Sequence, residues 1–115
     1  MKKILYLTLI IIMIAGFAST TFGKDVAMPL IIDVRTVQEW DKGHLEGAIL
    51  IPHDQIAERI GTIVKDKSKT IYVYCRTGRR TKIAKDALEK LGYKDIVDLG
   101  PLEDAAKTLK RKIVN

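Results

Sequence analysis

The only cysteine of the chain, Cys75, closes the apolar run TIYVY and is followed at once by Arg76, Thr77, Gly78, Arg79 and Arg80. A free cysteine at the end of a buried strand commonly serves as a small hydrophobe. The residues that follow this one are too polar to continue a core strand, which turns the reading toward chemistry. Gly78 permits the tight backbone path by which successive N–H groups turn inward to form an anion-binding nest. A helix beginning near Arg80 aims its own unsatisfied N–H groups at the same point. A thiolate there is stabilised by donors and by positive charge, and the same donors suit a bound oxyanion. The pattern predicts a nucleophile set inside the seat of an anionic substrate, at an open strand end rather than in a sealed core.

One thiol cannot make an internal disulfide or, alone, a thiolate metal site. His44 and His53 stand far from the cysteine and from paired carboxylates, so no metal and no cofactor is implied. The chain of 115 residues carries 20 Lys and Arg against 14 Asp and Glu, a formal charge of +6. Such an excess helps attract anions. The lysines are scattered along amphipathic segments, and Trp40, Tyr72, Tyr74 and Tyr93 do not alternate with basic residues, which argues against nucleic acid.

The elements that must position Cys75 begin after the amino terminus. There, MKK precedes a 15-residue apolar run ending at Ala18, and small residues follow. This is the pattern of a secretory signal, with cleavage after Ala18 or Gly23. A membrane span usually needs about 20 apolar residues, so a retained anchor is the alternative reading. Removal of residues 1–23 takes away Lys2 and Lys3, leaving +4 on a single domain at 24–115. The expectation is an exported, periplasmic monomer with no membrane contact after cleavage.

Runs at 29–34, 48–51, 70–74 and 95–99 have strand length and composition. Ile56, Ile60, Ile63 and Val64 form one helical stripe, and Ile83, Ala84, Ala87, Leu88 and Leu91 another, stopped by Gly92. Thr36, three residues before Glu39, predicts a capping box. A last helix is expected from about Leu102 to Lys112. The order describes one α/β domain, a mainly parallel sheet with helices on both faces. Such sheets bind ligands beyond the carboxyl ends of their strands, which is where Cys75 stands. Asp33, Arg35 and Glu39 read as a network of paired charges, because buried charges require partners.

The stretch CRTGRRT resembles the active-site loop of the rhodanese family, single-domain type. The upstream IIDVRTVQEWDKGHLEGAILIP is similar to the family's other signature, and the resemblance runs from about Leu30 to Leu99. It implies that Cys75 takes the outer sulfur of thiosulfate or a related small anionic donor, becomes a persulfide, and passes the sulfur to cyanide or a thiol. Arg76, Thr77, Gly78 and Arg79 would then hold the donor. Arg80 matches the last loop position, where substrate contact and a salt bridge to a framework carboxylate are both open. Asp33, Arg35, Glu39 and His44 fall to the framework.

The chain departs from the family pattern at LGPLEDAA, where Pro101 stands in place of a second glycine and no aromatic follows. That difference bears on the acceptor. A carrier that hands its persulfide to a protein partner is the alternative function. Cysteine phosphatases and arsenate reductases are the more distant one, since the phosphatase loop puts its arginine six residues after the cysteine, where this chain has Thr81.

Overall fold

The computed structural model describes residues 29–115, so the predicted signal at 1–23 lies outside the described residues. In chain order the elements are β1 (Leu30–Asp33), α1 (Val37–Asp41), β2 (His44–Leu45), β3 (Ile49–Leu50), α2 (Ile56–Ile63), β4 (Ile71–Cys75), α3 (Arg79–Lys90), β5 (Ile96–Pro101), α4 (Leu102–Leu109) and β6 (Ile113–Val114). Four strands form a parallel sheet in the order β3-β1-β4-β5. The α/β expectation holds.

A strand covered on both faces reads as a continuous apolar run rather than an alternation, which explains IYVYC. Its residues nevertheless divide by the period of two. Ile71, Val73 and Cys75 join Ile32, Ile56, Ile60, Ala84 and Leu88 in the core beneath α2 and α3. Tyr72 and Tyr74 face the other way, with Ile31, Leu45 and Ala105, where α4 packs. Truncating Ile32 or Leu88, both fully buried, to alanine would cost about 2–5 kcal/mol.

Two stripes differ from expectation. Ile63 in α2, Ile83 in α3 and Leu91 just after α3 are exposed, at 37%, 44% and 40%. The face that α3 buries is instead Thr81, Ala84 and Leu88. The stop at Gly92 is as expected: with φ of 97° it takes the left-handed conformation, and the N–H groups of Gly92 and Tyr93 donate to Glu89 O and Leu88 O. This is a Schellman closure. The last helix ends sooner than expected. Lys110 adopts φ of 53° and Arg111 N donates to Ala106 O, turning the chain so that Ile113–Val114 pairs antiparallel with His44–Leu45. A lysine gives no sign of a left-handed cap, so the turn was hidden.

The connection leaving β1 passes to α1, which packs on β2 and the Leu45 side. The connection leaving β4 passes to α3 on the opposite face. Adjacent strands whose connections diverge open a crevice at their carboxyl ends. Asp33 and Cys75 stand at that crevice.

Candidate active site

Cys75 ends β4 with no exposed surface, which corrects the expectation of an open site: the sulfur is sealed into the core cluster. It is not left among hydrocarbons alone. Gly78 N donates to Cys75 Sγ at 2.8 Å, and the Sγ lies 3.8 Å from Thr81 Oγ1. The Thr81 hydroxyl donates in turn to Gly78 O at 2.7 Å. Gly78 makes this possible by a φ of 91°, a left-handed value at which side chains are disfavoured. It is the residue that precedes α3, and the first-turn amides of Arg79, Arg80 and Thr81 find no acceptor among the described residues. Uncapped first-turn amides are free to meet an anion.

Thr81 was absent from the expected binding residues. It could have been found, since it lies on the same helical face as Ala84 and Leu88, a polar residue at a core position. Thr77 and the two arginines Arg76 and Arg79 are exposed, and neither arginine makes an ion pair among the described residues.

Arg80 is held apart from them. Its two terminal nitrogens donate to the two carboxylate oxygens of Glu39 at 2.5 and 2.8 Å, a bidentate pair of the strong kind. The Arg80 hydrogen bonds, with support from Thr36, hold the Glu39 carboxyl at about 2 against an ordinary 4.5. Glu39 in turn raises the Arg80 pKa, its hydrogen bonds outweighing the effect of burial. Glu39 is placed by the capping box: Thr36 N donates to its Oε1, and its own N donates to Thr36 Oγ1.

Beneath this pair lies a second one. Asp33, fully buried, accepts from Arg35 N and Nε at 2.9 Å and from Nη2 at 2.7 Å. Arg35 also donates to Gly43 O and sits 5.6 Å from the centre of the Tyr74 ring. Burial opposes the Arg35 charge, but hydrogen bonds and attraction from Asp33 outweigh it, so its pKa rises. Burial, with Asp33 nearby, also pushes the Tyr74 phenol upward, while its oxygen accepts from Leu45 N. His44 lies away from the sulfur, stacked on Trp40 at 3.5 Å with Nδ1 3.0 Å from Trp40 O.

An open cleft of about 410 Å³ adjoins the loop. It is lined by Arg76, the residue after the cysteine, and by Pro101, the residue registered against Cys75 across an irregularity in the β4–β5 pairing. Arg35, Glu39, Lys42, Leu102 and Glu103 complete the lining; Cys75 itself is covered.

Residues 20–100 match the Rhodanese-like domain family. The chain belongs to the rhodanese family. It is 43% identical over 75 residues to thiosulfate sulfurtransferase PspE of Escherichia coli strain K12, covering 65% of this chain and 72% of that one. A solved rhodanese with anions from E. coli superposes with a TM-score of 0.64 at 40% identity, over 67% of this chain and 91% of that one. Larger proteins contain a related segment. The chain is 34% identical over 77 residues to a tRNA uridine(34) hydroxylase of Protochlamydia amoebophila, 62% of this chain but 24% of that one. In the 75–81 turn of this chain Cys75 and Thr81 lie inside and Arg76, Thr77 and Arg79 outside.

Proposed function

We propose that this rhodanese moves the sulfane sulfur of thiosulfate through a Cys75 persulfide to cyanide or a thiol. The observation that carries the reading is the Gly78 N–H aimed at Cys75 Sγ at 2.8 Å, beside first-turn amides with no internal acceptor. In the first step the Cys75 thiolate attacks the outer sulfur of thiosulfate. The sulfur–sulfur bond of the donor breaks, and its electron pair leaves with sulfite. The new persulfide carries its negative charge on the outer sulfur, where backbone donors can meet it without reorganising. In the second step the acceptor attacks that outer sulfur and the Cys75 thiolate leaves. No acid is needed for the departing group, because sulfite is a good leaving group.

Arg76 and Arg79 attract and orient the dianion from the exposed side. Arg80, with both nitrogens on Glu39, ties the loop to α1, the framework option for this residue. Thr81 fills the position at which a phosphatase loop carries its arginine, and its buried hydroxyl supports the turn instead. Since Cys75 has no exposed surface, a donor reaches it only when part of its surroundings moves aside. The basic and apolar pattern of residues 2–18 supports export of the domain at 24–115.

The test is turnover of thiosulfate and cyanide to sulfite and thiocyanate by the purified domain, beside hydrolysis of an aryl phosphate. Thiocyanate without phosphate release is expected. Steady phosphate release without thiocyanate would overturn the assignment, and a persulfide that forms but never discharges to cyanide or small thiols would make the protein a carrier.

A further inference from the structure

The cleft beside the loop is larger than thiosulfate or cyanide requires, and its volume of about 410 Å³ falls in the range of sites that take whole small molecules. Its charges are not all available. Arg35 is neutralised by Asp33 and Glu39 by Arg80. Three ionic side chains remain that make no ion pair among the described residues: Lys42 at the end of α1, Arg76 after the nucleophile, and Glu103 in the first turn of α4. The same cleft is lined by the apolar surface of Pro101 and Leu102. The cleft thus offers two positive groups, one negative group and a short apolar strip, and Pro101 is registered against the cysteine.

From this we infer that the cleft is the acceptor subsite and that it selects a zwitterionic amino-acid thiol. The carboxylate of such a molecule faces Lys42 and Arg76, its ammonium faces Glu103, and its methylene lies on Pro101. The inference rests on the sulfur-transfer reading above. Its step is attack by the acceptor thiolate on the outer sulfur of the Cys75 persulfide. The new bond joins the acceptor sulfur to that outer sulfur, the persulfide bond breaks, and the electron pair returns to Cys75 as thiolate. No oxidant or reductant is consumed.

The experiment uses protein loaded with thiosulfate and freed of excess donor, then mixed with limiting L-cysteine, N-acetyl-L-cysteine, cysteamine or cyanide, with loss of the extra sulfur followed by intact mass. The wild-type protein should prefer L-cysteine over the analogue lacking the ammonium and over the one lacking the carboxylate, after each rate is divided by the same thiol's rate with a small free persulfide. Glu103→Gln should lower the first preference and Lys42→Met the second, each by about three- to tenfold, the scale of one partly exposed charge-assisted contact. Discharge to cyanide should stay the same in both variants. Unchanged preferences in both variants, with normal loading and normal discharge to cyanide, would overturn this inference and leave sulfur transfer standing. Failure of the wild-type protein to take up sulfur at all would overturn the sulfur-transfer reading, and this inference with it.

Discussion

The inner and outer sides of the 75–81 turn are built to opposite rules. Inside, Cys75 and Thr81 have no exposed surface, and the side-chain sulfur and hydroxyl each have a partner. Outside, Arg76, Thr77 and Arg79 face solvent, and the two arginines make no ion pair among the described residues. The inner side can fix the position of a reacting atom because packing and hydrogen bonds leave it few alternatives. The outer side can gather an anion because its charges are uncommitted. One stretch of seven residues does both since the left-handed Gly78 reverses the chain between them. Arg80 belongs to neither side; Glu39 takes it as a strut to α1.

The contrast breaks most severely at the charged floor of the inner side. Arg35→Met leaves Asp33 buried without its partner, and such a loss costs about 3–5 kcal/mol. Thermal or denaturant unfolding should show it as a large loss of stability; a neutral result would mean that water reaches Asp33.

Thr81→Val keeps shape but removes the closer donor to Gly78 O, leaving that carbonyl the longer bond from Lys82 N, and the loss of one such hydrogen bond costs about 0.5–1.5 kcal/mol. Turnover should fall with it, and Thr81→Ser should restore both. If Thr81→Val retains full turnover, the inner hydroxyl has no part in holding the loop.

Glu39→Gln probes the strut and has a pH signature. The folded carboxyl lies at about 2 against an ordinary 4.5, so the native state binds fewer protons than the unfolded chain between those values. The pair's contribution is complete above about 4.5 and is lost as pH falls toward 2. The melting-temperature gap between wild type and Glu39→Gln should therefore shrink from pH 5 to pH 2. A gap independent of pH would assign the strut's effect to packing.

The smallest changes in stability belong to the outer side. Arg76→Ala and Arg79→Ala should leave unfolding within about 0.5 kcal/mol of wild type. Both should reduce turnover at low thiosulfate by a few-fold and flatten its dependence on ionic strength. If neither rate nor salt dependence moves, the outer arginines are merely solvated.

The fold was legible where one local pattern decides a structure. The apolar runs of β1 and β4, the Thr36–Glu39 capping box and the Gly92 stop are all written in neighbouring residues. The β6 pairing was not, since it depends on a left-handed lysine at position 110 and on two short segments far apart in sequence. The same limit applied at the site. CRTGRR marked the loop, but the choice of Glu39 as partner for Arg80 is made across 41 residues, and the burial of Cys75 by the packing of α3. Lys42 and Glu103 carried no signal at all, because only the folded chain brings the end of α1 and the start of α4 to one cleft.

The most direct test is intact mass before and after incubation with thiosulfate, for the wild-type protein and Cys75→Ser, with melting temperatures measured alongside. A serine at this position finds Gly78 N and Thr81 Oγ1 already in place, so its stability should stay close to wild type. The wild-type protein should gain one sulfur atom and lose it on addition of cyanide, while folded Cys75→Ser gains none and forms no thiocyanate. Undiminished thiocyanate formation by Cys75→Ser would contradict the account at its centre.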